Sequence, residues 1–318
     1  MKHFINTQEY SRAQLEEILD RAREYKIGLT PPVLGGKSVG LLFFNPSLRT
    51  RVSFEVGIHQ LGGNPVTMTV GGESWNLEHR DGIVMDGDKP EHIKDAARVL
   101  SRYVDIIGVR AFPKMESLEE DMADSVIEAF RKYSDVPVVN LESSLYHPCQ
   151  AMADVMTIRE MGKKKVTMTW AYHPKALPMA VPNSFALIAS QFGMDLTMAW
   201  PKEFPLSDMI LDQVEKNLGA KPKIVHDPKE GLQDAEIVYA KSWGGIGFYG
   251  HWEEEKKLRE DYRDWQVTEI PEEAHFMHCL PVRRNVVVSD EILDRSKVYD
   301  QAENRRHVQK AILSSLIA

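Results

Sequence analysis

The stretch Ser38-Val39-Gly40-Leu41-Leu42-Phe43-Phe44-Asn45-Pro46-Ser47-Leu48-Arg49-Thr50-Arg51 decides the fold class. Residues 39–44 form the longest apolar run in the chain. That length suits a strand buried on both faces and falls far short of the ~20 residues that a membrane helix needs. Asn45 and Pro46 end the run, and a helix is expected at about 50–61. A buried strand feeding a helix is the repeating unit of a parallel sheet. The alternation continues, with strands expected at 66–70, 104–109, 136–141, 165–170, 195–199, 223–226 and 236–240. Helices are expected near 91–103, 118–132, 148–161, 183–192, 206–218 and 302–316, and a capping box of Ser11 with Gln14 opens an earlier one. Residues 71–88 have few periodic apolar positions and read as a functional loop. At roughly 150 residues per domain, 318 residues make about two domains. The expectation is an α/β protein of two doubly wound parallel-sheet domains, 1–150 and 151–301, with a C-terminal helix, 302–318, returning to the first.

Composition narrows the function classes. Hydrophobic residues are 43% and charged residues 27%, which excludes a disordered chain, a collagen-like fibre and a disulfide-stapled miniprotein. Lys+Arg is 39 against Asp+Glu 47, a formal net charge of -8. Such a chain is a poor partner for nucleic acid or an anionic membrane, so neither is expected. An anionic substrate would need positive charge concentrated locally. The two cysteines, Cys149 and Cys279, fit no close-spaced zinc pattern and no disulfide framework, which suggests a reducing compartment. Residues 1–8 turn polar before the apolar core of a signal peptide could form, so the expected location is cytoplasmic.

Two strand-to-helix connections carry chemistry. In the first, backbone N–H groups of a helix start, the hydroxyls of Ser47 and Thr50 and the guanidinium of Arg49 suit an anion, with Arg51 as a possible support. The position, outside the carboxyl end of a strand, is where open parallel sheets bind ligands. A capped helix with solvated arginines is the plainer account. The second is Leu141-Glu142-Ser143-Ser144-Leu145-Tyr146-His147-Pro148-Cys149-Gln150. Pro148 suits a first helical position, His147 can donate to a polarised carbonyl oxygen, and Gln150 offers donor and acceptor atoms. Fixed donors of this kind stabilise charge on oxygen in acyl transfer. Taken alone, the segment reads as an N-capping histidine in an ordinary turn.

Taken together, Ser47-Leu48-Arg49-Thr50-Arg51, His147-Pro148-Cys149-Gln150 and Phe276-Met277-His278-Cys279-Leu280-Pro281 resemble, in this order, the signature set of the aspartate/ornithine carbamoyltransferase family. The resemblance implies that Ser47, Leu48, Arg49 and Thr50 hold the phosphate of carbamoyl phosphate. It implies that His147, Pro148, Cys149 and Gln150 bind the carbamoyl group, and that Cys279 and Leu280 complete the site. Arg110 and Arg305 match further ligands of carbamoyl phosphate. Trp75 matches one that the family projects into a neighbouring subunit of a homotrimer with shared active sites. The first domain would then bind carbamoyl phosphate and the second the amine. An amine attacks the carbamoyl carbon, a tetrahedral intermediate forms and phosphate leaves. Arg110, His147 and Cys279 are the implied catalytic residues, Cys279 as a positioning group rather than a nucleophile. No metal or organic cofactor is implied.

The acceptor is read from departures. Ordinary ornithine carbamoyltransferases carry an acidic segment for the free amino-acid head, and here Ala240-Lys241-Ser242-Trp243-Gly244-Gly245 stands in its place. A cation there suits a neutral, acylated α-nitrogen. The segments 170–175 and 181–184 also resemble the N-acylornithine branch, in which Glu142, His173, Lys241 and Arg283 would contact the acylornithine. Acetyl-using members carry Glu at the position of Pro90, and succinyl-using members carry Pro. A carboxylate there would repel the succinyl carboxylate. Val287 matches a position where an acetyl-using relative has a functional lysine. Segments 110–114 and 302–310 look closer to acetyl-using members. The expected reaction uses N-succinyl-L-ornithine in arginine biosynthesis, with N-acetyl-L-ornithine as the alternative. In isolation Glu142 would read as an exposed loop acid, Lys241 as snorkelling from a strand end, and Arg283 with Arg284 as a solvated pair.

Three rivals compete. Gly245-Ile246-Gly247-Phe248-Tyr249-Gly250 matches a dinucleotide fingerprint and would suit an oxidoreductase, but Ser242-Trp243 and the bulky Phe248 and Tyr249 oppose it. His147, Cys149, His278 and Cys279 lack chelating spacing for zinc. A non-catalytic binding subunit would not need the complete set of substrate positions.

Overall fold

A computed structural model describes residues 1–317. It divides into two compact units: Met1–Lys114 with Glu119–Cys149 and the tail from Arg305, and Met115–Leu118 with Gln150–Asn304. The short piece Met115–Leu118 joins the second unit, where the Trp252 indole donates to the Met115 carbonyl at 2.7 Å.

In the first unit the strands are β1 Ser38–Phe43, β2 Asn64–Thr69, β3 Leu77–Glu78, β4 Glu91–His92, β5 Ile106–Arg110 and β6 Val138–Glu142. Four form a parallel sheet in the order β2-β1-β5-β6. The chain starts in the middle, winds out to β2, then returns to the other side of β1. This makes a doubly wound sheet with a switch point between β1 and β5, the place where ligands meet such sheets. β1 and β5 are buried almost throughout, as central parallel strands require, while β2 is half exposed and tolerates Pro65 because it lies at an edge. Leu42, Ile107, Val109, Phe130 and Val138 pack the core.

The ladder between β5 and β6 carries an irregularity. Val109 pairs with Asn140, but Arg110 pairs with Glu142, the register shifting between Val109 and Arg110. A bulge of this kind re-aims side chains, and here it sets an arginine and a glutamate opposite each other at the sheet's carboxyl edge.

The second unit contains β7 Lys165–Trp170, β8 Asp195–Ala199, β9 Lys223–Val225, β10 Ile237–Lys241 and β11 His275–Met277, parallel in the order β11-β10-β7-β8-β9. The chain reverses between β7 and β10, whose ends pair Trp170 with Lys241. Val238, Ala240, Phe276, Val288 and Ile292 pack one core cluster, which includes the buried Val287.

Several elements differ from the sequence expectation. The helix expected at 118–132 is two, Leu118–Met122 and Ser125–Tyr133, because Asp124 between them is left-handed (φ 47°). Its buried carboxylate accepts from Ser143 Oγ and from the Ser144 amide, contacts no local pattern encodes. The helix expected at 91–103 spans only Ile93–Leu100, since Glu91 and His92 pair with Leu77 and Glu78, inside and beside the segment read as irregular. The last helix begins at Val298 rather than 302. Its later turns belong to the first unit, where Ser314 Oγ accepts from the Tyr25 hydroxyl at 2.9 Å. Among the described residues, no helix is long and apolar enough to cross a membrane.

Candidate functional site

At the carboxyl edge of the first sheet, Asn45 Oδ1 accepts the Phe112 amide at 2.7 Å and ties the turn after β1 to the chain leaving β5. The helix Arg49–Gln60 starts there, and Ser47 Oγ accepts the Thr50 amide at 3.2 Å, so one orphan donor of the first turn is met locally. Leu48 is exposed, Arg49 is half-buried and Thr50 is buried. Thr50 Oγ1 accepts from Arg305 Nη2 at 2.8 Å and lies 3.4 Å from Arg110 Nη1.

Two guanidinium groups thus converge on one hydroxyl in a protein whose net charge is -8. Like charges drawn together in a poorly hydrated place repel, and an anion relieves the repulsion. Arg110 has a countercharge in Glu142, whose Oε2 accepts from Arg110 Nη1. The Arg110 guanidinium also lies over the Phe112 ring, 4.2 Å from its centroid, so its orientation is set on two sides.

His147 is buried, with Nε2 3.4 Å from Glu142 Oε2. Burial first, then the charges of Arg305 and Arg110, hold its imidazole well below the ordinary value. Those effects outweigh the adjacent carboxylate, so the contact is that of a neutral ring and not an ion pair. Pro148 opens the helix Pro148–Glu160. The Cys149 thiol is fully buried, 3.7 Å from the Asn140 carbonyl, and burial pushes it up to about 12. It is a packed thiol and not a nucleophile.

Within the first unit, then, the structure brings together Thr50, Arg110, Glu142, His147 and Arg305, residues as far apart in sequence as 255 positions. Glu142 is no exposed loop acid: it ends β6 and is mostly covered. Trp75 and Pro90 are apart from this cluster in the exposed segment. Trp75 is 58% exposed and its indole donates to Glu91 Oε2 at 2.6 Å, which sets it beside the residue after Pro90.

The second unit holds the other set. Lys241 ends β10 at the switch point, is buried, and donates to the Ser242 carbonyl at 3.1 Å, so it does not snorkel. His173 is pushed down to about 4, by burial first and then by Lys241, Arg283 and Arg259. Arg283 is exposed, and Arg284 is taken by Asp290 at 2.9 Å and Asp294 at 2.8 Å. Cys279 is partly exposed, and the Leu280 amide donates to His278 Nδ1 at 2.9 Å. The buried Gln150 donates to Asp154 at 2.7 Å.

Sequence reasoning missed a buried pair in this unit. Arg259 and Glu255, 2.7 Å apart, lie in the helix Trp252–Arg259, whose acidic start reads as a solvated face. Arg259 donates to the carbonyls of Trp243 and His173 and to Ser242 Oγ, bracing the backbone around Lys241 and His173. Only the i, i+4 acid–base spacing hinted at it.

The dinucleotide fingerprint fails on geometry. Residues 246–248 form a 3-10 turn, and the Gly245 amide donates to the buried Glu255 carboxylate at 2.9 Å instead of opening a phosphate-facing helix. Among the described residues, no three His, Cys, Asp or Glu side chains are grouped to hold a metal ion.

Comparisons with known proteins show the family. Residues 2–160 match the model of the aspartate/ornithine carbamoyltransferase carbamoyl-P binding domain, and residues 178–316 match that of the Asp/Orn binding domain. The chain is 44% identical to an N-acetylornithine carbamoyltransferase of Xanthomonas campestris pv. campestris, over 100% of this chain and 98% of that one. It is 37% identical to an N-succinylornithine carbamoyltransferase of Bacteroides thetaiotaomicron, over 88% of this chain and 87% of the relative. Among solved structures it resembles a glutamate-to-proline mutant of N-acetyl-L-ornithine transcarbamylase, complexed with carbamyl phosphate and N-succinyl-L-norvaline. The TM-score is 0.97 and the identity 45%, covering 99% of this chain and 100% of the other.

Proposed function

Because the chain belongs to the aspartate/ornithine carbamoyltransferase family, in its N-acylornithine branch, we propose that it transfers the carbamoyl group of carbamoyl phosphate to the side-chain amine of N-succinyl-L-ornithine. The products are N-succinyl-L-citrulline and phosphate, a step of arginine biosynthesis. The observation that carries the carbamoyl phosphate assignment is the meeting of Arg110 and Arg305 on Thr50, in the cluster that also holds the buried His147.

The phosphate is held by the amides at 48 and 49, by the side chains of Ser47, Arg49 and Thr50, and by the two converging arginines. A neutral imidazole at His147 donates an N–H to the carbamoyl oxygen and stabilises the negative charge that grows there as the tetrahedral intermediate forms. Pro148, Cys149, Gln150, Cys279 and Leu280 shape the carbamoyl end. The attacking amine has an ordinary pKa of about 10.4, so its neutral form must be selected. His173, Lys241, Arg283 and Glu142 serve the acylornithine, and a cationic Lys241 fits a carboxylate of that substrate better than a free ammonium. By likeness to the family we also assign a homotrimeric assembly with shared active sites, and exposed Trp75 is the residue that would reach a neighbouring copy.

The acyl group is the finer question. Overall likeness supports N-acetyl-L-ornithine better than the succinyl compound, since the relatives of greater identity bear the acetyl name. The succinyl assignment rests on Pro90. A glutamate there would meet the distal succinyl carboxylate at a Coulomb cost of about 1–4 kcal/mol at contact distance, depending on screening. The crystallised glutamate-to-proline mutant, with its bound N-succinyl-L-norvaline, is in keeping with that logic. Val287, packed in the core, adds no charge of its own. The test is purified protein with carbamoyl phosphate and ornithine, acetylornithine or succinylornithine, scored for citrulline product, together with Pro90→Glu. The variant is expected to move preference from succinyl- to acetylornithine. An unchanged ratio removes the basis for the succinyl choice, and no product from any acceptor removes the carbamoyl transfer itself.

A further inference from the structure

Gln150 lies in the first turn of the helix Pro148–Glu160 and is 1% exposed. Its Nε2 donates to Asp154 Oδ1 at 2.7 Å, one turn further along. The same oxygen accepts from Gln301 Nε2 at 2.6 Å. Gln301 Oε1 in turn accepts the backbone amide of His278 at 3.0 Å. Gln150 Oε1 is buried and has no hydrogen-bond partner among the described residues. All four residues belong to the second unit.

The direction of this chain is not arbitrary. A carboxamide can usually present either end, and its orientation must be inferred from its partners. Here the inference has a fixed starting point, because a backbone N–H can only donate. The His278 amide therefore makes Gln301 present its oxygen at that end and its NH2 at the other. Asp154 Oδ1 must then accept, and it does so whether or not its other oxygen carries a proton. Gln150, facing the same oxygen, must also spend its nitrogen there. What remains of Gln150 is a carbonyl oxygen, buried, unsatisfied and able only to accept.

We propose that Asp154 is a positioning residue that, with Gln301 and the His278 amide, locks the Gln150 carboxamide with its oxygen free for the ligand, so that the protein takes acyl phosphates bearing an NH2 and rejects isosteric ones bearing a methyl. The inference rests on the carbamoyl phosphate assignment above. A carbamoyl NH2 supplies the missing donor. A methyl ketone leaves a buried acceptor unpaired, and sites built around a hydrogen bond discriminate most strongly against analogues that lack it.

The experiment compares two stable phosphonates of nearly equal shape, phosphonoacetamide and 2-oxopropylphosphonate, by isothermal titration calorimetry. The wild-type chain is expected to bind the amide at least about tenfold more tightly than the ketone, the factor for one unsatisfied buried group. Asp154→Ala frees the Gln150 amide to rotate, so the ratio should collapse toward one through loss of amide binding alone. Asp154→Asn keeps a carbonyl oxygen in the same place and should restore the ratio. Should Asp154→Ala not fold, Asp154→Ser takes its place, its hydroxyl being too short to reach both amides. A ratio that survives removal of the acceptor, or equal weakening of both ligands, overturns the positioning role. A wild-type ratio near one overturns it as well. Failure of the wild type to bind either phosphonate instead removes the carbamoyl phosphate assignment on which the inference stands.

Discussion

Glu142 and a bound phosphate should compete for the same guanidinium nitrogen, and Glu142→Gln separates the two roles of that carboxylate. Glu142 Oε2 accepts from Arg110 Nη1, and the two side chains are only 12% and 9% exposed. Arg110 also lies close to the like-charged Arg305 through Thr50. Substituting a neutral amide leaves Arg110 without its countercharge, and breaking a buried pair from one side costs about 3–5 kcal/mol. The retained hydrogen bond brings the expected loss of folding stability to the lower end, about 3 kcal/mol. Phosphate affinity should change in the opposite sense. A charge-assisted hydrogen bond contributes roughly 1–1.5 kcal/mol more than a neutral one, so an incoming phosphate displaces a weaker rival and binds about five- to tenfold more tightly. The assay pairs a denaturant titration of the free protein with calorimetry using inorganic phosphate. A folded variant that is less stable and binds phosphate more tightly is the expected outcome, with a raised KM for the acylornithine. Unchanged or weaker phosphate binding refutes the idea that Glu142 holds the arginine in readiness.

Acidification should destabilise the fold between about pH 6.5 and pH 4. His147 and His173 are held below the ordinary imidazole value, His173 at about 4, chiefly by burial, so the unfolded chain binds protons there that the native chain refuses. Asp124, raised to about 6 by burial, acts in the opposite sense as it takes up a proton in the native state, but His3, His79 and His275 are also lowered and add to the histidine side. The denaturant midpoint should therefore fall from pH 7 to pH 5, and a midpoint that rises contradicts the balance. Thiol chemistry should be selective: iodoacetamide at pH 8 labels the partly exposed Cys279 and spares Cys149, whose thiol is buried and pushed up to about 12. Peptide mass spectrometry reads the site, and labelling of Cys149 in the folded protein contradicts its burial.

The turn from β1 into the helix Arg49–Gln60 was legible from composition and spacing, because everything it needs is local: an apolar run, a breaker, a hydroxyl at the helix start. The same holds for the alternation of strands and helices, and hence for two parallel sheets. The order of motifs identified the family, and with it the residues to examine. Local pattern could not reveal the left-handed Asp124, whose conformation is maintained by Ser143 and Ser144 some twenty residues away.

Nor could the chain, read alone, set Glu142 against Arg110. A strand's side chains alternate with a period of two, and the shift of register between β5 and β6 that brings these residues opposite each other depends on the pairing partner. Arg305 reaches Thr50 across 255 positions, and Gln301 reaches Asp154 across 147, only because the final helix packs where it does. Residue types and their short-range spacing established what chemistry the chain possesses. Which charges meet, which histidine stays neutral and which way a glutamine faces were decided by tertiary packing, since each depends on burial and on partners that no local stretch contains.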